Sequence, residues 1–139
     1  MITIDASVIH GMIVHAKNGL PIEVCGYAAE QLGVIDAWYP LTNVDASAEH
    51  FSLDPKEQFA AIKKMRAEGR KLAAVYHSHP ATPSRPSDED IALAADPSLS
   101  YIIVSLAGSE PVVKSFEIKN KKVTEQPIRI RNSAGGIHL

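Results

Sequence analysis

The sequence predicts a single α/β (α+β) domain, with a mixed central β-sheet of about six strands flanked by three helices. Three observations lead there. Residues 5–18 and 54–70 repeat apolar side chains at helical spacing. Residues 71–79, "KLAAVYHSH", are almost wholly apolar until the histidines, which suits a central strand covered on both faces. The last third of the chain breaks into strand-like runs separated by hairpin-length turns. Helices interleaved early and strands meandering late mix parallel and antiparallel neighbours.

Each element has a local reason. In "DASVIHGMIVHAKN" (5–18), Val8 and Met12, and Ile9 and Ile13, form an apolar helical face. Asp5 or Ser7 is placed to cap it, Asn18-Gly19 ends it, and Pro21 prevents a restart. "IEVCGYAA" (22–29) alternates as a strand, with Glu23 and Cys25 sharing one face. A second strand, 33–42, follows a short turn at Gly33, and Phe51 and Leu53 are placed on a short extended edge. Asp54-Pro55 reads as N-cap and N1 of the next helix, with Phe59, Ile62 and Met65 directed inward and Gly69 closing it. "SDEDIALAAD" (87–96) is a short helix opened by Ser87, with Asp90 completing a capping-box-like pair. Strands at 100–106, 110–118 and 121–130 close the chain.

At 139 residues the chain has the length of one domain and can bury a real core. Its single cysteine, Cys25, rules out an intramolecular disulfide and reads as a core residue or one just behind a site. Fourteen Lys and Arg balance sixteen Asp and Glu, which gives no electrostatic case for nucleic acid. No apolar run reaches membrane-spanning length, and "MITIDASVIHG" lacks the pattern of a secretory leader, so the expectation is a soluble cytoplasmic protein. Domain bounds of 1–130 are expected, followed by a flexible tail, 131–139, that contains Gly135-Gly136. His10 and His15 read as helix-surface or half-buried histidines, Trp38, Tyr39 and Tyr76 as packing residues, and Thr82 and Ser84 as solvated loop.

Chemistry concentrates in "YHSHPATPSRPSDED" (76–90). On a strand, His77 and His79 face the same side and can converge on one ion, while Ser78 faces the layer behind. Asp88, Glu89 and Asp90 offer an acidic third ligand, and imidazole with carboxylate suits zinc. The helix dipole alone also favours acids in a first turn, so the pattern admits a metal site or a capped helix behind a polar loop. Pro80, Pro83 and Pro86 stiffen the intervening loop. Glu23, on an otherwise apolar strand, needs a polar partner.

Glu23, His77-Ser78-His79-Pro80, Ser87 and Asp90, together with the opening "PIEVCGYAAE" and with Asn43 and the "FSLDP" stretch after it, resemble the JAMM (MPN-plus) zinc metalloprotease pattern over essentially the whole chain. The resemblance implies a mixed sheet flanked by helices, cytidine-deaminase-like in outline. It implies one Zn2+ per chain, held by His77, His79 and Asp90, with metal-bound water as nucleophile, Glu23 as general base and Ser87 hydrogen-bonding the oxyanion. The chain is similar to the minimal prokaryotic type. That type implies an enzyme that cleaves after the C-terminal Gly-Gly of a ubiquitin-like or sulfur-carrier protein; the sequence leaves a homodimer open. Alternatives are a RadC-like protein, a phage-type peptidase with another substrate, and a non-catalytic metal-binding MPN interaction module.

Overall fold

The computed structural model describes residues 1–132, so the expected tail, with Gly135-Gly136, lies outside the described residues except for Arg131 and Asn132. In chain order its elements are β1 (Ile2–Asp5), α1 (Ala6–Gly19), β2 (Cys25–Gln31), β3 (Val34–Leu41), α2 (Pro55–Ala67), β4 (Lys71–His79), α3 (Asp88–Leu93), β5 (Ser100–Ser105), β6 (Val112–Lys119), β7 (Lys122–Gln126) and β8 (Ile128–Arg131). All the strands join one mixed sheet of order β7-β6-β5-β4-β2-β3-β1-β8. β4 lies inside it, antiparallel to β2 and parallel to β5. No helix among the described residues is long and apolar enough to cross a membrane.

The three predicted helices and the mixed sheet are present, but among the described residues the sheet has eight strands, not six. One addition is β1, which pairs in parallel with β8 from Ile2↔Ile128 to Asp5↔Arg131. The other arises because the predicted strand 121–130 is two strands, β7 and β8, on opposite edges of the sheet and separated by Pro127 alone. A proline has no N–H to give a ladder and so marks the break. Two edges joined by one residue must curl toward each other, and the Ile2 N–H donates to the Pro127 carbonyl at 3.0 Å where they meet.

Strand alternation divides the interior. On one face, Val24, Ala28, Ala74, Tyr76, Ile102 and Val104 pack with Val8, Met12 and Ala16 of α1. On the other, Cys25, Tyr27, Ala29 and Tyr39 pack against Ala61 and Met65 of α2. Ile103, Phe116 and Ile118 pack beside Ile91 of α3 on that second side. The inward stripe of α2 therefore runs through Ala61, Ile62 and Met65. Phe59, expected inside, is 71% exposed. Small Ala61 lets α2 lie against the sheet, and this rotates Phe59 outward.

Local signals set the ends of elements. The Asp54 side chain accepts the Lys56 N–H at 3.0 Å with Pro55 at N1, as expected. Gly69, at φ 76°, ends α2 in the left-handed conformation that glycine tolerates best. Asp5 occupies the N-cap of α1 but makes no side-chain cap there; its Oδ1 instead accepts from Arg131 Nε at 2.7 Å. The third helix is shorter than predicted and ends at Leu93.

Behind β4 the Tyr76 ring is fully buried, and its hydroxyl meets His15 Nδ1 of α1 at 2.8 Å. Gly26 is its cross-strand partner on β2. A Cβ at Gly26 would overlap the Tyr76 ring and lie 2.6 Å from the Tyr39 carbonyl oxygen. Gly26→Ala should destabilise the fold by about 1–3 kcal/mol, the usual range for overpacking, measured as a lowered urea midpoint. Because Gly26 flanks Cys25, the partner of His77, the same substitution should also weaken divalent-metal binding.

Candidate metal centre

The centre forms where β4 ends and α3 begins. His77 and His79 project from the last turn of the strand pleat on the α2/α3 face, and both are 4% exposed. Ser78 points to the opposite face, as strand parity predicts, and is fully buried there. Ser87 caps α3: its Oγ accepts the Asp90 N–H at 3.0 Å, and its own N–H donates to Asp90 Oδ2 at 2.9 Å. The capping box predicted from "SDED" is thus complete.

The same Asp90 Oδ2 lies 3.1 Å from His77 Nε2 and 3.1 Å from His79 Nε2, and the two nitrogens are 3.1 Å apart. Asp90 is therefore the acid that joins the histidines, the assignment that Asp88, Glu89 and Asp90 left open by spacing alone. His79 Nδ1 contacts the Pro83 carbonyl at 2.9 Å. A carbonyl only accepts, so Nδ1 carries a proton; Nε2 then offers a lone pair to an ion when His79 is neutral, or donates to Asp90 when the ring is protonated. Three electron-rich atoms this close repel one another unless a proton or a cation lies among them. Two imidazole nitrogens and a carboxylate oxygen suit a divalent ion such as zinc. Tetrahedral bonds of roughly 2.0–2.1 Å would place neighbouring donors about 3.3 Å apart, so His77, His79 and Asp90 form a group able to hold a metal ion.

The surrounding chain fixes these rings. Phe51 stacks on His77 with ring centroids 4.6 Å apart and planes 28° apart. Ser84 Oγ donates to the Ile103 carbonyl at 2.8 Å, and Ser105 Oγ donates to the Thr82 carbonyl at 2.6 Å. These two bonds pin the loop that carries the Pro83 acceptor. Ser84, expected in solvent, is buried because the proline-rich loop folds back over β5. Cys25 is the cross-strand neighbour of His77 and donates weakly to the Leu41 carbonyl. Burial pushes its thiol up to about 12, so it remains a neutral packing group.

Glu23 approaches from a different segment. The strand predicted to carry it begins only at Cys25, so Glu23 lies just before β2. Continuing the Cys25↔His77 register by two residues places Glu23 opposite His79. Ser78 maintains that register past the strand end: Ser78 Oγ accepts the Val24 N–H at 2.8 Å, and the Ser78 N–H donates to the Val24 carbonyl at 3.0 Å. Glu23 is 4% exposed, not on an open face, and its Oε1 has no hydrogen-bond partner. The sequence shows Ser78 and Phe51 but not their partners, which come from segments distant in the chain.

Electrostatics follow from this burial. For Asp90, burial opposes ionisation, but hydrogen bonds from His77, His79 and the Ser87 N–H outweigh it and hold the carboxyl well below the usual carboxylate range. Burial lowers His77 despite the neighbouring Asp90. Burial also opposes protonation of His79, yet its bonds to Asp90 and the Pro83 carbonyl raise it above its ordinary value. Burial pushes Glu23 up to about 8; His79 opposes that shift, and Asp90, Glu89 and Glu49 reinforce it.

Beside the triangle lies a cleft of about 370 Å³. Its walls are mainly apolar, from Phe51, Leu53, Val75, Leu93 and Ile103, and His77 and Asp90 stand at its border.

Comparison with known proteins agrees with this geometry. Residues 5–119 match the family model described as prokaryotic homologs of the JAB domain. The chain is 31% identical over 133 residues to the CysO-cysteine peptidase of Mycobacterium tuberculosis, covering 94% of this chain and 91% of that protein. A solution structure from Desulfitobacterium hafniense shares 44% identity over the whole of both chains, with a TM-score of 0.88. A JAB1/MPN domain protein from Archaeoglobus fulgidus shares the fold at 22% identity and a TM-score of 0.66, covering 93% of this chain and 96% of its own.

Glu23 gives the ion-free protein a definite pH response. Its native pKa, about 8, lies above its ordinary value of 4.5, so between these limits the native state holds a proton that the unfolded chain releases. Its contribution to stability is complete below pH 4.5 and is lost as pH rises through 8. Glu23→Gln should melt with the ion-free parent at pH 4 and about 5 °C or more above it at pH 9. Paired thermal melts across that range, with chelator present, measure the gap.

Proposed function

The chain belongs to the family of prokaryotic JAB-domain proteins, within the JAMM/MPN metalloproteases, and on that premise we propose that it cuts the bond after the Gly-Gly end of a ubiquitin-like or sulfur-carrier protein. The observation that carries this reading is a buried, unpartnered Glu23 oxygen in register with a triangle of metal-ligating atoms. A purely structural metal site has no need of an unsatisfied buried carboxylate. The mycobacterial relative is named a CysO-cysteine peptidase, and by analogy a short amino-acid adduct on a carrier tail is the bond we propose is cut.

His77, His79 and Asp90 would hold one zinc ion. Bound there, the ion supplies Lewis acidity to the scissile carbonyl and lowers the pKa of water toward neutrality. Glu23 is the general base. Its unpartnered Oε1 is free to accept a proton from the attacking water and to return it to the leaving amine. A cation in the adjacent ligand set favours the ionised, basic form of Glu23, against the burial that favours its acid. Ser87 Oγ uses one lone pair on the Asp90 N–H. Its hydroxyl proton remains available for the oxyanion, so capping and catalysis use different parts of one group. An extended tail fits the apolar cleft, and glycines at its end allow close backbone approach to the triangle.

The test is cleavage of a panel of Gly-Gly-ended carriers with C-terminal extensions, read by mass spectrometry. The zinc-loaded parent should release the extension after Gly-Gly. Glu23→Gln should retain zinc and lose at least about 100-fold in kcat, and Ser87→Ala should lose about 100-fold in kcat. Stoichiometric zinc with no cleavage of any carrier would overturn the substrate class; full activity in Glu23→Gln would overturn the base. Leu93→Ser, in the cleft wall, should raise KM severalfold and leave kcat within about twofold.

A further inference from the structure

The backbone of Glu23 is bonded by a residue that is neither a metal ligand nor assigned a catalytic role. Asn43 lies just after β3, where it makes an isolated antiparallel bridge to Leu53. Its Nδ2 donates to the Glu23 carbonyl at 3.0 Å and to the His50 carbonyl at 3.0 Å. Its Oδ1 accepts the Asp45 N–H at 3.1 Å and the Ser52 N–H at 3.2 Å. A side-chain amide has two donor protons and two acceptor lone pairs, and all four are in use. Two carbonyls on one side and two N–H groups on the other allow only this orientation of the amide.

These bonds close the segment 43–53 on itself and attach it to Glu23. The Glu23 N–H donates to the Ser47 carbonyl at 2.9 Å, so both peptide groups of Glu23 end on this segment or its organiser. The same segment carries Phe51, which stacks on His77. The next N–H, that of Val24, lies in the same peptide group as the Glu23 carbonyl and donates to Ser78 Oγ of β4 at 2.8 Å. Asn43 and Ser78 thus hold the two ends of one peptide, Asn43 from the 43–53 segment and Ser78 from the strand.

We infer that Asn43 is a positioning residue for Glu23: its amide ties the Glu23 carbonyl to the 43–53 segment and thereby holds the carboxyl facing the metal ligands. The catalytic consequence rests on the reading of Glu23 as the base; the structural consequence does not. Asn43→Asp keeps both acceptors and removes both donors, so the Glu23 and His50 carbonyls would face a carboxylate.

Two measurements on the full chain decide it. Amide hydrogen exchange should be at least about tenfold faster at Glu23 in Asn43→Asp than in the parent, with Ser78, whose N–H bonds the Val24 carbonyl, unchanged. Unchanged exchange at Glu23, or equal acceleration at Ser78, would overturn the inference whether or not any carrier is cut. In single-turnover cleavage, Asn43→Asp should slow the zinc-loaded parent by about 10- to 100-fold, with KM and zinc affinity each within about threefold. In the Glu23→Gln background the same substitution should have no further effect. Equal slowing in both backgrounds would mean a general structural role and would contradict the proposal. If Asn43→Asp fails to fold, Asn43→Ser keeps only one of the two donors, on a shorter side chain, and is judged by the same two readouts.

Discussion

One carboxylate oxygen organises the site. Asp90 Oδ2 accepts the Ser87 N–H and meets both histidine Nε2 atoms. The atom that completes the cap of α3 is therefore also the atom that joins that helix to the end of β4. A six-residue helix is marginal by itself, so α3 depends on its cap and on this contact. Protonating or removing the carboxylate would loosen the helix and the histidine pair together. The proline-rich loop between them is constrained by the same need, and Ser84 and Ser105 fix it at carbonyl acceptors on either side.

The sheet provides the second constraint. β4 can carry two histidines into the interior only because it is internal, with α1 behind it and α2 and α3 in front. Tyr76 anchors the strand to α1, and Ser78 anchors the residue after Glu23 to the strand. Alternate residues of one strand thus serve structure and chemistry. His77 and His79 meet Asp90 in the group able to hold a metal ion, and Tyr76 and Ser78 fix the strand and the segment that carries the Glu23 carboxylate.

How much of this the sequence shows depends on how local each cause is. His77 and His79 converge by strand period, and Ser87 and Asp90 pair across one helical turn, so these were legible from spacing. The caps at Asp54 and Gly69 were legible for the same reason. The pairing of Ile2 with Ile128 joins the two ends of the described chain and leaves no local mark. Pro127 did carry a signal, a missing donor inside an apparent strand, and it marks where one run becomes two edges. Phe59 was misplaced because helical period defines a stripe without saying which side chains are small enough to meet a sheet. The surroundings of Glu23 were least legible, since they come from the irregular segment 43–53 and from Ser78, 54 residues from its partner Val24.

The central claim is that His77, His79 and Asp90 are the metal ligands. X-ray absorption at the zinc edge of the loaded protein tests it most directly. The predicted spectrum has only nitrogen and oxygen neighbours at roughly 2.0–2.1 Å, with the outer-shell pattern of two imidazoles, and loses one imidazole in His77→Ala. A sulfur neighbour at about 2.3 Å, or a spectrum unchanged by that substitution, would contradict the account.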